Sequence, residues 1–246
     1  MQRGALSGET STEYTTLFPD VARRVFLKGL AVASLTTLSG CGPTFSYRYR
    51  LRAIVDTPQG TREGSSVREV RLGNNLCCTT GGFEYAYGFD GEALAVDLPT
   101  GTLFVLLGRY GYDQQWSYRG VTQQILQEAG RNHWDKSAME ELPEIFKSRK
   151  TWLVPGTDCP LLVHFMNLNN PKTLSVINAN DLQYVFGRET WLRELRIELT
   201  SEPITKTIRQ RLPWLPENGG SAAIIQPPSS YEKNTITYDS FRHSRS

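Results

Sequence analysis

Polar and apolar residues alternate from 47 to 55, in Tyr47-Arg48-Tyr49-Arg50-Leu51-Arg52-Ala53-Ile54-Val55. A period of two puts the rings and aliphatic groups on one face and the arginines on the other, which predicts a half-buried strand. Asp56-Thr57-Pro58-Gln59-Gly60-Thr61 predicts a turn, and a strand over 65–72 completes a hairpin. Residues 83–89 alternate again. Residues 93–98 and 102–107 flank Pro99-Thr100-Gly101 and predict a second hairpin. The run Leu103-Phe104-Val105-Leu106-Leu107 is apolar on both faces, which predicts a central, covered strand.

The period lengthens after residue 120. Stretches 121–129 and 137–147 predict helices, and Met139, Leu142, Ile145 and Phe146 share one face of the second. Pro143 inside it requires a kink or a late start. Strands are expected at 151–154, 161–166 and 191–199, with a helical turn at 180–187. In the last strand Leu192, Leu195, Ile197 and Leu199 point inward, and Arg193, Arg196 and Glu198 outward. Ser201-Glu202-Pro203 predicts the start of a helix running to Leu212, with Ile204, Ile208 and Leu212 as its stripe. From Glu217 glycine, serine, proline and asparagine dominate, so 217–246 is expected to be a disordered tail. These elements predict one α+β domain over 41–216, dominated by antiparallel sheet with two or three packed helices. A sandwich decorated with helices fits the same alternation.

Charge changes the picture mainly by exclusion. The 246 residues carry 27 Lys and Arg against 25 Asp and Glu, a net of +2 with the signs interspersed. A dedicated nucleic-acid binder would show a strong basic excess, so no nucleic-acid partner is expected. No apolar run approaches the ~20 residues that span a bilayer, so membrane association would need lipid or a partner.

The N-terminal 40 residues read as a cleaved export signal. Arg23-Arg24-Val25-Phe26-Leu27-Lys28 precedes a mildly apolar stretch at 29–38. This resembles a twin-arginine signal, with Arg23, Arg24, Phe26 and Leu27 as its readable residues. Leu38-Ser39-Gly40-Cys41 resembles the lipobox of bacterial lipoproteins. That resemblance implies diacylglycerol on the Cys41 thiol and cleavage that leaves Cys41 first. Implied partners are the export machinery, the lipoprotein-processing enzymes and a membrane, inner or outer, with the domain facing the periplasm. The plain alternative is a short cytosolic helix with a chance Arg-Arg and a buried cysteine.

A second resemblance covers residues 45–216. It rests on Tyr47-Arg48-Tyr49-Arg50-Leu51, Asp56-Thr57-Pro58-Gln59-Gly60 and Gly64-Ser65-Ser66-Val67-Arg68-Glu69-Val70. It continues in Asn170-Pro171-Lys172-Thr173-Leu174, Ser201-Glu202-Pro203-Ile204-Thr205 and Leu212-Pro213-Trp214-Leu215. These are similar to an uncharacterised family of proteobacterial proteins. The family carries no assigned activity, cofactor or catalytic residue, so the resemblance implies a single structural unit and nothing more.

Candidate chemistry is sparse. With Cys41 acylated, Cys77, Cys78 and Cys159 remain. An oxidising compartment favours a bridge from Cys159 to Cys77 or Cys78; a strained Cys77–Cys78 bridge and no bridge stay open. The histidines are too dispersed for a zinc set. His133, beside Trp134 and Asp135, could act as an oriented base or belong to a loop cluster. His164 lies in a strand, where half-buried packing is the simpler role. His243 is expected in solvent. Cys159 with His164 invites a thiol nucleophile without a local signature. Asp90, Glu92 and Asp97 offer carboxylates beside turn residues. Ser65 and Ser66 lack the Gly-x-Ser-x-Gly context of a hydrolase. Tyr110, Tyr112, Trp116 and Tyr118 would suit either a stacking surface or loop anchoring. The expectation is a lipid-anchored envelope protein that binds an envelope protein or small ligand, without a cofactor. An envelope hydrolase or transferase is the alternative, and a cytosolic module a third if the signal reading fails.

Overall fold

A computed structural model describes residues 43–74, 85–109, 114–132, 136–217, 220–225 and 236–244. The chain separates into two units between Gly40 and Cys41, and every described residue belongs to the second. Strands β1 (Pro43–Thr57) and β2 (Gly60–Asn74) form one long antiparallel hairpin closed at Thr57 and Gly60. Tyr47, Tyr49, Leu51, Ala53 and Val55 are buried on the inner face, while Arg48, Arg50 and Arg52 lie on the outer face, as the alternation requires. Beyond β2 lies β3 (Tyr85–Glu92). At Ala93 the chain bends into β4 (Leu94–Leu98) and leaves this sheet for a second one. The two sheets approach closely at Gly64, where a Cβ would collide with the Ala95 carbonyl. Only glycine fits there.

The second sheet continues through β5 (Gly101–Val105). The helices α1 (Arg119–Glu128), α2 (Lys136–Glu140) and α3 (Leu142–Ser148) follow. Pro143 sits in the first turn of α3, where its missing amide costs nothing, so the expected single helix divides at Glu141. Then come β6 (Thr151–Leu153), β7 (Leu162–Phe165), β8 (Leu174–Ile177), α4 (Leu182–Phe186) and β9 (Trp191–Leu199). Ile54 pairs with Glu194 but Val55 with Leu192, so β9 bulges at Arg193. The extra residue reconciles the three-residue spacing of Leu192 and Leu195 with a single inward face.

The chain ends with α5 (Ile208–Arg211), β10 (Ala223–Ile225), β11 (Ile236–Thr237) and β12 (Arg242–Ser244). The sheet orders are β12-β3-β2-β1-β9-β6, β4-β5-β7-β8 and β10-β11, antiparallel throughout. The fold is α+β and sheet-dominated. Leu103 to Leu107 are fully buried. Leu103, Val105 and Leu107 join the core shared with the larger sheet; Phe104 and Leu106 join a second core with Val163, Phe165, Leu212 and Phe241.

Three expectations need correction. The helix expected from Ser201 to Leu212 reduces to α5. The Val67 amide donates to Thr205 Oγ1 at 2.8 Å, and the Thr205 amide to the Val67 carbonyl at 3.1 Å, so this segment extends along β2 instead. Strand β8 lies where the sequence pattern predicts no element, because its four residues carry no clean alternation. The stretch expected as a disordered tail contains ordered elements. Ile236 and Phe241 bury their side chains against the smaller sheet, and β12 pairs with β3 from Arg242 opposite Glu92 to Ser244 opposite Asp90. Average composition masks two well-placed apolar residues.

Candidate functional site

Arg23, Arg24, Phe26, Leu27, Cys41, Cys77, Cys78, Tyr110, Tyr112 and His133 lie outside the described residues. Cys159 is a free thiol, and burial pushes its pKa up to about 12. A thiolate is strongly disfavoured there, which argues against a nucleophile. His164 packs edge-on against Phe186, 5.8 Å between ring centres, and burial lowers its pKa. His243 is not in open solvent: it stacks on Phe89 at 6.2 Å, because β12 lies beside β3. Trp116 is buried, and Tyr118 packs on Phe89 at 5.8 Å, so these two rings anchor the 114–118 segment rather than offer a stacking surface. Among the described residues no group of three or more His, Cys, Asp or Glu is placed to hold a metal ion, and no helix is long and apolar enough to cross a membrane.

The carboxylates have structural partners. Glu92 Oε1 accepts from the amides of Thr207 and Ile208 at 2.6 and 3.0 Å, which caps the start of α5. Asp90 pairs with Arg71. Asp97 takes both ends of the Arg211 guanidinium, at 2.6 and 2.7 Å. That hydrogen bonding holds the Asp97 carboxyl below its usual pKa. Arg193 does the same for Asp56, and Arg50 for Glu202. A depressed folded pKa means the stabilisation is complete above the unfolded carboxylate value of about 4. It disappears as the pH falls through the lower folded values. From these carboxylates the urea midpoint is expected to fall below about pH 4, and the lowered His164 pKa adds an earlier loss as the pH drops below about 6.5, in unfolding curves at stepped pH.

The pairs of Asp90, Asp56 and Glu202 belong to a charged lattice on the outer face of the larger sheet. Arg48 reaches Glu69 at 3.0 Å, and Arg52 reaches Glu63 at 2.9 Å and Glu198 at 3.4 Å. Opposite charges facing across strands favour this register, and a face so charged resists stacking against another sheet.

Beneath the lattice, on the inner face, lies a buried polar centre. Arg68 is fully buried. Its Nε donates to Ser66 Oγ at 3.1 Å and to the Glu92 carbonyl at 3.2 Å, and Nη1 donates to Ser117 Oγ at 3.2 Å. Tyr49, also fully buried, donates to the Ser117 carbonyl at 2.6 Å. Burial lowers the Arg68 pKa and raises that of Tyr49. Gly91 makes room for the arginine stem: a Cβ there would stand 2.8 Å from Arg68 Cγ. Nη2 has no hydrogen-bond partner among the described residues. The centre ties β1, β2, the β3–β4 bend and the 114–117 turn together.

An open concavity lies at the start of β1. A cleft of about 760 Å³ is lined by Phe45, Tyr47, Arg48, Phe146, Lys150 and Leu199, among others. Phe146 packs against Tyr47 at 5.0 Å and Phe45 at 5.8 Å. The cleft exists because β1 runs past the last residue of β9, Leu199 opposite Tyr49, while α3 leans over the gap. At the other end of β1, Trp191 lies opposite Asp56, and Trp191 and Tyr184 are large exposed rings. Two signals in the sequence mark these features. Arg68 falls on the inward phase of β2, and Phe45 continues the inward phase of β1. No family model matches the chain, and neither does any curated protein or solved structure.

Proposed function

We propose that this chain is a lipid-anchored protein of the bacterial envelope, exported by the twin-arginine route and facing the periplasm as a binding module rather than an enzyme. The observation that carries the reading is the order of the N-terminal features. Arg23-Arg24 and a weak apolar run lead to Leu38-Ser39-Gly40-Cys41, and β1 begins directly afterwards at Pro43. Two or three acyl chains at Cys41 hold a protein firmly, since each buried methylene contributes about 0.8 kcal/mol. The exposed Trp191 and Tyr184, at the end of β1 remote from Cys41, are suited to contact an envelope partner.

Metabolic labelling with a fatty acid is expected to mark the wild-type chain, and Cys41→Ala to abolish the label and release the protein from the membrane fraction. Lysine at both Arg23 and Arg24 keeps the charge but removes the pair that the export receptor reads, so export is expected to stop. An unlabelled wild-type chain that retains Met1 in the cytosol would refute the proposal.

A further inference from the structure

The anchor sits very close to the cleft at the start of β1. Phe45 follows Cys41 by four positions, a span of at most about 14 Å even when fully extended. A lipid on Cys41 therefore holds Phe45 and its surroundings at the headgroup layer. Those surroundings have the composition of an interfacial surface. Phe45, Tyr47 and Phe146 pack together, and Phe146 is followed directly by Lys147-Ser148-Arg149-Lys150, all exposed. Lys147 pairs with Glu144 at 2.7 Å and Arg149 with Glu128 at 2.8 Å, both in exposed settings where pairing is weak. Lys150 has no carboxylate partner among the described residues and borders the cleft, where Arg48 is paired with Glu69. The half-buried Phe45 and Phe146 beside exposed cationic side chains match the pairing of apolar boundary and phosphate at a bilayer surface.

We infer that this end of the domain is a membrane-docking surface, with the cleft and the 147–150 segment seated on anionic phospholipid headgroups. The inference rests on the anchoring proposal for its geometry. Docking fixes the long axis of β1 away from the bilayer and presents Trp191 and Tyr184 outward.

The test uses the full chain carrying Cys41→Ala, so that acylation plays no part. It is floated with phosphatidylcholine vesicles and with vesicles that also contain phosphatidylglycerol. A second chain adds Lys147→Gln and Lys150→Gln, both exposed side chains, with circular dichroism to verify its fold. Residues 1–40 are common to both chains, so any leader contribution cancels. Partition onto the anionic vesicles is expected to exceed that onto neutral ones, and to fall on the order of 10-fold in the lysine variant. High salt should narrow the difference. Equal partition of the two chains, or equal binding to neutral and anionic vesicles, would overturn the inference. Fatty-acid labelling is read separately: label without charge-dependent docking removes the surface and keeps the anchor, and docking without label does the reverse.

Discussion

Phe241→Ala is expected to lower the free energy of unfolding by about 3–5 kcal/mol. Phe241 is fully buried and meets Phe165 at 5.8 Å, Trp214 at 6.1 Å and Phe104 at 6.4 Å. Alanine would remove the ring from the middle of this cluster and leave a cavity that β-sheet neighbours cannot readily fill. The backbone here matters too, because the Phe241 carbonyl accepts from the Ala93 amide at 2.7 Å, at the bend between β3 and β4. Removing residues 236–246 altogether would take away both contributions, along with β12. That truncated chain is expected to unfold at ordinary temperature. Urea denaturation of the point variant and far- and near-ultraviolet circular dichroism of the truncation check these outcomes. A truncation with native stability would show that the C-terminal segment does not cover the second core.

Arg68 gives the second large effect, and the choice of replacement decides its size. Arg68→Ala loses the stem and leaves Ser66, Ser117 and the Glu92 carbonyl with one donor fewer, so about 3–5 kcal/mol of stability is expected to disappear. Arg68→Met restores most of the volume and removes a buried charge that has no ion-pair partner within the hydrogen-bonded centre. Replacing a buried charge by a well-packed apolar group is often neutral, so methionine is expected within about 1.5 kcal/mol of wild type. Equilibrium unfolding in urea separates the two. If methionine costs as much as alanine, the hydrogen bonds and not the packing hold the centre.

Much of the fold is legible in the sequence where local pattern and tertiary environment agree. The strand over 191–199 is observed as Trp191–Leu199, and the doubly apolar run at Leu103 to Leu107 is fully buried between two layers. Legibility fails where a distant group decides the outcome. Ser201-Glu202-Pro203 is a sound helix start, yet the helix waits until Ile208, because Thr205 bonds to β2 and the Glu92 carboxylate caps the later amides. Neither partner is visible from the local sequence. Phe241 lies in a polar stretch, and its burial depends on Phe104 and Phe165, far earlier in the chain. Of the candidate site residues, Asp97, Glu92 and His164 have structural partners that explain them. The cleft depended on α3 meeting the start of β1, a contact that no periodicity announces.

The pairing of Arg242 with Glu92 also has a consequence for when the molecule matures. One edge strand of the larger sheet is made about 150 residues after the strand it pairs with, so that edge stays open until the later stretch arrives. Closing so long a loop is slow beside forming a local hairpin, so this edge is expected to pair late in folding.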